Sequence, residues 1–181
     1  FIDDDVLLAP QFIQQHIEQQ TDFPCISRGR IYDLPFLKFF ADPSTGELFD
    51  PRTQRKPSAL LENCIQVTDL DLTNSKITPR ARITKHETLV EKSLMEHPAL
   101  CDWIAFAGGN VCIPSKLLHD FGGFDEGFAT VWGCEDLELG YRLWKAKQPF
   151  VYQYNAVNYH MTHIRRNFAE DHLRSTLYFY S

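Results

Sequence analysis

The chain has 181 residues, of which 44% are hydrophobic and 13% aromatic, and this is enough apolar material for one folded domain with a packed core. Its formal net charge of −6 disfavours nucleic acid as a bulk electrostatic partner, so an anionic substrate would need a local basic site or a metal ion. No stretch approaches the roughly 18 apolar residues of a membrane-spanning helix, and we expect no membrane span in this chain.

The cysteines bear on the cellular compartment. There are five, an odd number, and no two have the Cys-x-x-Cys spacing of a metal or redox motif. We interpret them as reduced thiols, many of them in the core, which favours a cytoplasmic protein; a lumenal protein with one or two disulfides is the alternative. They are Cys25, Cys64, Cys101, Cys112 and Cys134.

The start of the chain predicts a strand end at residues 1–8, a helix over 10–20 and a strand over 25–32. Arg28 and Arg30 alternate to one face of that strand. A salt-bridged strand surface is the expected role for these two arginines, and a phosphate contact is the alternative.

A long loop is predicted next. Residues 41–58 combine three prolines, a glycine and many charged side chains, which is typical of a mobile segment. A loop of this length within a compact domain is more often a lid or a binding loop than a simple connection.

The second half of the chain predicts a succession of helices and strands. Helices are expected over residues 83–97, 114–121, 135–147 and 170–180, and strands over 103–113, interrupted by a glycine turn, and over 150–160. The helix over 135–147 is apolar nearly all round, with Leu139 and Leu143 on one stripe and Tyr141 and Trp144 on another. We therefore expect it to be well buried.

An aspartate triplet at the end of the first predicted strand is a candidate metal site. Asp3 and Asp5 are one residue apart, so both carboxylates can reach one divalent cation, although such triplets also occur in turns without this function. A competing pair, Asp69 and Asp71, alternates with apolar residues and is better explained as the solvent face of a strand.

Two adjacent carboxylates, Glu135 and Asp136, lie at the predicted start of a helix, shortly after Trp132 and Gly133. The free backbone N–H groups and the helix dipole at that end favour the ionised form of a carboxyl group. An ionised carboxylate can take the proton from an attacking hydroxyl, as a general base does. Because the side chains of neighbouring helical residues point about 100° apart, Glu135 and Asp136 cannot have the same chemical role. The alternative is an ordinary pair of charges at a helix N-terminus.

Histidines and arginines follow the last predicted strand. His160 and His163 have the spacing His-x-x-His, and Arg165 and Arg166 come directly after them. A histidine is more often an ordinary surface or core residue than a metal ligand. A cation beside two guanidinium groups would, however, suit a diphosphate, and the basic pair favours that interpretation.

A further motif, Gly-Gly-Phe-Asp-Glu, occupies residues 122–126, shortly before Trp-Gly-Cys-Glu-Asp at residues 132–136. Together these two motifs resemble a glycosyltransferase of the GT-A fold. The similarity is to bacterial family 2 enzymes whose C-terminal part is like that of the β-1,4-galactosyltransferases and chondroitin-type polymerases. It covers residues 3–10 and 103–163, whereas residues 33–100 match no pattern that we recognise.

The resemblance implies roles for the catalytic and acceptor residues. Asp136 would be the general base of an inverting enzyme, and Glu135 would hold a hydroxyl group of the acceptor sugar. A retaining relative typically carries Asn where Asp136 stands. Cys134 departs from the family pattern, which has a second glycine there, and we expect it to narrow the approach to the acceptor. The other predicted acceptor contacts are Trp132, Gly133, Gly109 and Asn110.

The resemblance also implies a divalent cation, Mn²⁺ or Mg²⁺. Asp5 would bind it, and Asp3 would assist or lie nearer the ribose of the donor. In this family a histidine shortly after the last strand completes the metal site; His163 fits best, and His160 is the alternative or a second ligand. The predicted contacts to the donor diphosphate are Asp3, Arg165 and Arg166.

The implied fold class is α/β, a GT-A (nucleotide-diphospho-sugar transferase) fold. We expect residues 1–181 to be a single domain, the C-terminal part of a catalytic domain that lacks its N-terminal nucleotide-binding βαβ units. The implied function is transfer of a hexosyl or N-acetylhexosaminyl group, in polysaccharide biosynthesis, from a nucleotide-diphosphate donor, above all a UDP-sugar, to a glycan or glycoconjugate hydroxyl. The alternative is a non-catalytic carbohydrate-binding or scaffold module derived from such an enzyme.

Overall fold

The computed structural model describes residues 1–34, 40–42, 47–48, 81–130, 132–162 and 167–181. Most of the predicted loop over 41–58 lies outside these ranges, as do the competing aspartates Asp69 and Asp71. His163, Arg165 and Arg166 also lie outside them.

The described residues form six strands, five α-helices and two short 3₁₀ segments. The strands are β1 (Val6–Leu8), β2 (Ile26–Asp33), β3 (Phe40–Asp42), β4 (Glu47–Leu48), β5 (Val111–Cys112) and β6 (Phe150–His160). The helices are α1 (Phe12–Asp22), α2 (Lys85–Met95), α3 (Ser115–Asp120), α4 (Glu135–Lys145) and α5 (Phe168–Phe179). The 3₁₀ segments are Asp102–Phe106 and Glu126–Thr130. The α/β class predicted from the sequence is confirmed, and the GT-A topology stays a prediction.

The central sheet has the strand order β1-β6-β2-β5. β2 and β6 run parallel, and β1 and β5 are antiparallel to their neighbours. The pairing of β2 with β6 shifts register between Gly29 and Arg30, and from there it continues to the last pair, Asp33 with His160. The parallel pairing therefore brings the ends of both strands to the same edge of the sheet. β3 and β4 pair separately.

Helix α4 packs on the sheet through one face only. Leu139 and Leu143 are fully buried beside Ile26 and Phe106, whereas Tyr141 remains 36% exposed. The prediction that this helix is well buried holds for one face only, because its second, aromatic stripe packs at the surface against Trp103 instead of against the sheet. Since the buried stripe fixes the rotation of α4, it also fixes where the carboxylates at the start of the helix point.

Residues 102–106 form a 3₁₀ segment where we predicted the first half of a strand over 103–113. Short apolar runs do not distinguish a strand from a buried helical turn. Here the side chain of Asp102 accepts hydrogen bonds from the backbone N–H of Ala99 and the hydroxyl of Ser93, which closes the turn. Only Val111–Cys112, beyond the glycines, joins the sheet.

A buried ion pair ties α2 to the sheet. Arg28 on β2 and Glu87 on α2 are 1% and 3% exposed, and their side chains are 2.7 Å apart. The second carboxylate oxygen of Glu87 accepts hydrogen bonds from the backbone N–H of Ile31 and the hydroxyl of Tyr152. Arg28 is therefore salt-bridged as expected, but inside the protein and not on its surface. No helix among the described residues has the length and apolar character needed to cross a membrane.

Candidate active site

A cavity of about 870 Å³ lies where the N-terminal segment, the ends of β2 and β6, the glycines before β5 and the start of α4 meet. This volume is in the range of small-molecule sites. Among the described residues the lining is strongly acidic, with Arg28 as its one arginine and no lysine. Its carboxylates are Asp3, Asp4, Asp5, Asp33, Glu87, Glu135 and Asp136. Such a cavity attracts cations.

Asp136 lies on the first turn of α4, as the sequence predicted. One carboxylate oxygen accepts a hydrogen bond from the backbone N–H of Gly108, and the other accepts one from the N–H of Leu137. Burial raises the pKa of the Asp136 carboxyl, the nearby charge of Glu135 adds to the increase, and the hydrogen bond from Gly108 opposes it. The hydrogen bonds thus favour ionisation as predicted, but burial outweighs them, so the net pKa shift is upward and not downward.

Glu135 precedes Asp136 and lines the same cavity. Its Oε2 atom is buried and makes no hydrogen bond to any residue that the structure describes. A buried carboxylate oxygen without a donor costs free energy, so we expect its partner to be a donor from water or from a ligand. A sugar hydroxyl is a donor of this kind.

Asp3 approaches Asp136 across two glycines. A Cβ atom at Gly108 would lie 3.2 Å from Oδ2 of Asp136 and 3.6 Å from Oδ1 of Asp3. At Gly109, which has a φ of +84°, a Cβ atom would lie 3.1 Å from Oδ2 of Asp3. Glycine is needed at residue 109 for its left-handed backbone, and both glycines leave room for the two carboxylates to converge. The sequence did not reveal that the N–H of Gly108 would hold Asp136.

Asp5 lies against His160, the last residue of β6. Oδ2 of Asp5 is 3.3 Å from Nε2 of His160, and Nδ1 of His160 is 3.3 Å from Oδ1 of Asp33. The hydrogen bond to Asp33 raises the pKa of His160, and the charge of Asp5 adds to the increase. Sequence reasoning missed Asp33, whose only signal was its position at the end of a predicted strand.

Carboxylate oxygen and imidazole nitrogen are suitable ligands for Mn²⁺, and carboxylate oxygen suits Mg²⁺. Asp5 and His160 supply one of each, side by side at the cavity, and the acidic lining would stabilise the charge of a cation. The donor chemistry therefore fits the predicted metal. Within the described part of the chain, however, no three His, Cys, Asp or Glu side chains are grouped closely enough to form a complete metal site. His163, the ligand that we favoured, lies outside the described residues.

Aromatic side chains form one rim of the cavity: Trp132 and His172 line it, and Phe168 packs against both. The rings of Trp132 and Phe168 have centroids 5.1 Å apart, and the ring of His172 lies 5.6 Å from that of Phe168. Trp132 is 38% exposed and Phe168 49% exposed, so their faces are accessible. Sequence reasoning proposed Trp132 and missed the two residues of α5, because the packing of that helix on the Trp132 loop is a tertiary contact.

The remaining predicted acceptor residues differ in their placement. Gly133 lines the cavity and has a φ of +103°. Asn110 is fully buried, and its side chain bonds to His16 and to the backbone oxygens of Arg30 and Ala156. This placement does not favour direct contact between Asn110 and an acceptor. Its side chain instead anchors the strand that follows the glycines.

Residues 100–166 match the family model described as the N-terminal domain of galactosyltransferase. The matched segment includes the glycine turn, α4 and β6, and hence the carboxylates at the start of α4 and the histidine at the end of β6.

Curated relatives match over shorter stretches. Chondroitin synthase of Escherichia coli is 47% identical over 55 residues, which are 30% of this chain and 8% of that protein. Validoxylamine A glucosyltransferase of Streptomyces hygroscopicus subsp. jinggangensis is 54% identical over 41 residues, 23% of this chain and 10% of that protein. Hyaluronan synthase of Pasteurella multocida is 52% identical over 40 residues, 22% of this chain and 4% of that protein.

The alignments thus cover a tenth or less of the length of these three relatives. All three are named for the synthesis or transfer of sugars, as is the family whose model matches. The resemblance predicted from the two sequence motifs is therefore confirmed, and residues 100–166 of this chain are similar to glycosyltransferases.

Proposed function

We propose that this chain is part of a metal-dependent inverting glycosyltransferase that moves a sugar from a nucleotide-diphosphate donor to a hydroxyl group of a glycan or glycoconjugate. One observation carries the proposal: the carboxylates of Asp136 and Asp3 converge at Gly108, in a cavity that Asp5 and His160 also line. A base for the acceptor and ligands for a cation thus face one space. The matches to sugar-polymer synthases support the same conclusion.

Asp136 is the proposed general base. The acceptor hydroxyl gives its proton to the carboxylate while its oxygen forms a bond to the anomeric carbon of the donor sugar. The bond from that carbon to the diphosphate oxygen breaks, and the nucleoside diphosphate leaves with the electron pair. Because the acceptor attacks from the side opposite the leaving group, the configuration at the anomeric carbon inverts. The raised pKa of Asp136 makes it a stronger base than an ordinary aspartate.

Glu135 and the aromatic rim are proposed to place the acceptor. The buried Oε2 of Glu135 would accept a hydrogen bond from an acceptor hydroxyl, which orients the neighbouring hydroxyl toward Asp136. The exposed face of Trp132 can stack on the apolar face of a sugar ring, and Gly133 lets the backbone approach it. Cys134 lines the cavity at this point and would narrow the approach.

Asp5 and His160 are the proposed ligands of Mn²⁺ or Mg²⁺, with Asp3 assisting, and His163 is a further candidate. When bound, the cation would neutralise the charge that develops on the leaving diphosphate. Among the described residues the cavity has one arginine, Arg28, which is already paired with Glu87, so this part of the lining offers little other positive charge to a diphosphate. Further positive charge near the diphosphate is proposed to come from Arg165 and Arg166.

The donor is proposed to be a UDP-sugar. The test uses the full-length protein with Mn²⁺ and a panel of UDP-hexoses, UDP-N-acetylhexosamines and UDP-glucuronic acid, in the presence of a mixture of glycan acceptors. Release of UDP that requires an acceptor is the expected result, and proton NMR of the product should show an inverted anomeric configuration. Retention of configuration would exclude Asp136 as the base. Glycan binding without any transfer would instead favour a non-catalytic carbohydrate-binding module.

A further inference from the structure

Asp33 lies on the side of His160 that faces away from Asp5. Nδ1 of His160 is 3.3 Å from Oδ1 of Asp33, and Nε2 is 3.3 Å from Oδ2 of Asp5. We propose that Asp33 is a positioning residue that holds the imidazole of His160 so that Nε2 is the nitrogen presented to a divalent cation. This inference rests on the proposed function, which places a cation at Asp5 and His160.

The chemistry of imidazole requires such a partner. A neutral histidine has a proton on one ring nitrogen and a lone pair on the other, and only the nitrogen with the lone pair can bind a metal. A carboxylate beside Nδ1 keeps the proton on that atom, because the carboxylate can only accept a hydrogen bond. Asp5 lies at the same distance from Nε2, so a cation bound by Asp5 and His160 would take the place of the proton between them, and the lone pair of Nε2 would then be available to it. A carboxylate behind a histidine ligand also orients the ring and increases its basicity.

The backbone fixes Asp33 with respect to His160. The two residues are paired at the ends of β2 and β6, and the N–H of Leu34 donates to the carbonyl of His160 at 2.9 Å. On the other side, Asp33 and Arg82 exchange two backbone hydrogen bonds of 2.8 and 2.9 Å. The backbone of Asp33 is therefore held on both sides, which fixes the point from which its carboxylate reaches His160.

The alternative is that Asp33 only stabilises the sheet edge through an ion pair. The side chains of Asp33, His160 and Asp5 are 22%, 26% and 21% exposed, so all three are partly screened from water at the cavity wall in either case. The two roles predict different results for metal affinity, which a purely structural carboxylate would not change.

The test measures Mn²⁺ binding to the full-length protein by titration calorimetry. Asp33→Ala should weaken binding by about 10-fold to 100-fold, the usual effect of removing such a partner. Asp33→Asn should fall between Asp33→Ala and the unmodified protein, because its amide oxygen can still accept a hydrogen bond from Nδ1. The control is Asp120→Asn on α3, which removes the same charge from a residue that does not line the cavity.

Asp5→Ala and His160→Ala separate this inference from the proposed metal site. The inference is supported if Asp5→Ala, His160→Ala and Asp33→Ala all weaken Mn²⁺ binding and if Asp33→Asn leaves the thermal unfolding of the protein unchanged. Binding lost in Asp5→Ala and His160→Ala but unchanged in both Asp33 variants would overturn it and leave the proposed function intact. Unchanged binding in all of the variants would overturn both the metal site and the role of Asp33.

Discussion

The backbone N–H of Gly108 donates a hydrogen bond to the carboxylate of Asp136. This bond joins the glycine turn before β5 to the first turn of α4, and it directs one carboxylate oxygen toward the space that Asp3 also approaches. The orientation of the proposed base is thus set by a loop as well as by its own helix.

Asp136→Asn should lower kcat by roughly 10²-fold or more, the usual scale for loss of a general base. The substitution keeps the size of the side chain and removes its affinity for a proton. Mn²⁺ affinity and the KM for the donor should change little, because neither is assigned to Asp136. Steady-state kinetics of the full-length enzyme with saturating acceptor measure this. Turnover near the unmodified rate would exclude Asp136 as the base.

Glu135 should affect the binding of the acceptor, whereas Asp136 should affect turnover. In Glu135→Gln the main expected change is a higher KM for the acceptor, since the amide supplies a weaker hydrogen-bond acceptor than the carboxylate. Equal loss of kcat in the Glu135 and Asp136 variants, with unchanged acceptor KM, would contradict the division of roles.

The acid limb of kcat should report the raised pKa of Asp136. The carboxylate must be ionised to accept a proton, so kcat falls as the pH drops through that pKa, and the limb should lie above the ordinary aspartate value of about 3.9. Since the charge of Glu135 contributes to the increase, Glu135→Gln should move the limb to lower pH.

A pH profile at saturating donor, acceptor and Mn²⁺ makes this measurement. Glu138→Gln is the matched control, because it removes the same charge from the same helix at a residue that pairs with Arg142. An acid limb that stays in place in Glu135→Gln would show that the two carboxylates do not interact as proposed.

The helices and strands were largely predictable from the sequence, because the spacing of their apolar residues indicates which side of each element is buried. The strand over 150–160 was predicted with the bounds that β6 has, and the start of α4 was predicted at Glu135. Asp136 could therefore be placed correctly before any coordinates. The apolar run at residues 103–106 carried no such period, and its 3₁₀ form depends on hydrogen bonds from Ala99 and Ser93 to Asp102.

The contacts between elements could not be predicted in the same way. Asp33 reaches His160 because β2 and β6 are parallel and shift register between Gly29 and Arg30. Neither the pairing nor the shift can be predicted from the sequence of one strand alone. The pKa of Asp136 was predicted to fall because a helix start was visible, whereas its burial was not. Sequence analysis thus predicted the site residues that can be recognised from their own helix or strand. It missed those whose role depends on a contact with a neighbouring element.

Cys134 should destabilise the protein through its backbone. Its φ is +67°, in the left-handed region, where a residue with a Cβ atom costs about 1–2 kcal/mol and glycine does not. Cys134→Gly should therefore have a free energy of unfolding about 1 kcal/mol higher than Cys134→Ala, which removes the thiol but keeps the Cβ atom. Urea denaturation of the two variants measures the difference. An alanine variant as stable as the glycine variant would contradict this account.

Gly140 should be required for the packing that orients α4. A Cβ atom there would lie 2.5 Å from Cβ of Phe106 and 2.7 Å from the carbonyl oxygen of Trp103, both far inside normal contact distance. Helix propensity alone predicts that Gly140→Ala stabilises the protein by up to about 1 kcal/mol. We expect the opposite, a loss of about 1–3 kcal/mol from overpacking, because Phe106 is fully buried and the 3₁₀ carbonyl cannot rotate away.

The separation forced on α4 would also move Asp136 away from the N–H of Gly108, so kcat should fall together with the unfolding free energy. Denaturant titration and kinetics on the same preparation test both effects, and a variant with increased stability would show that α4 does not pack on residues 102–106 as described.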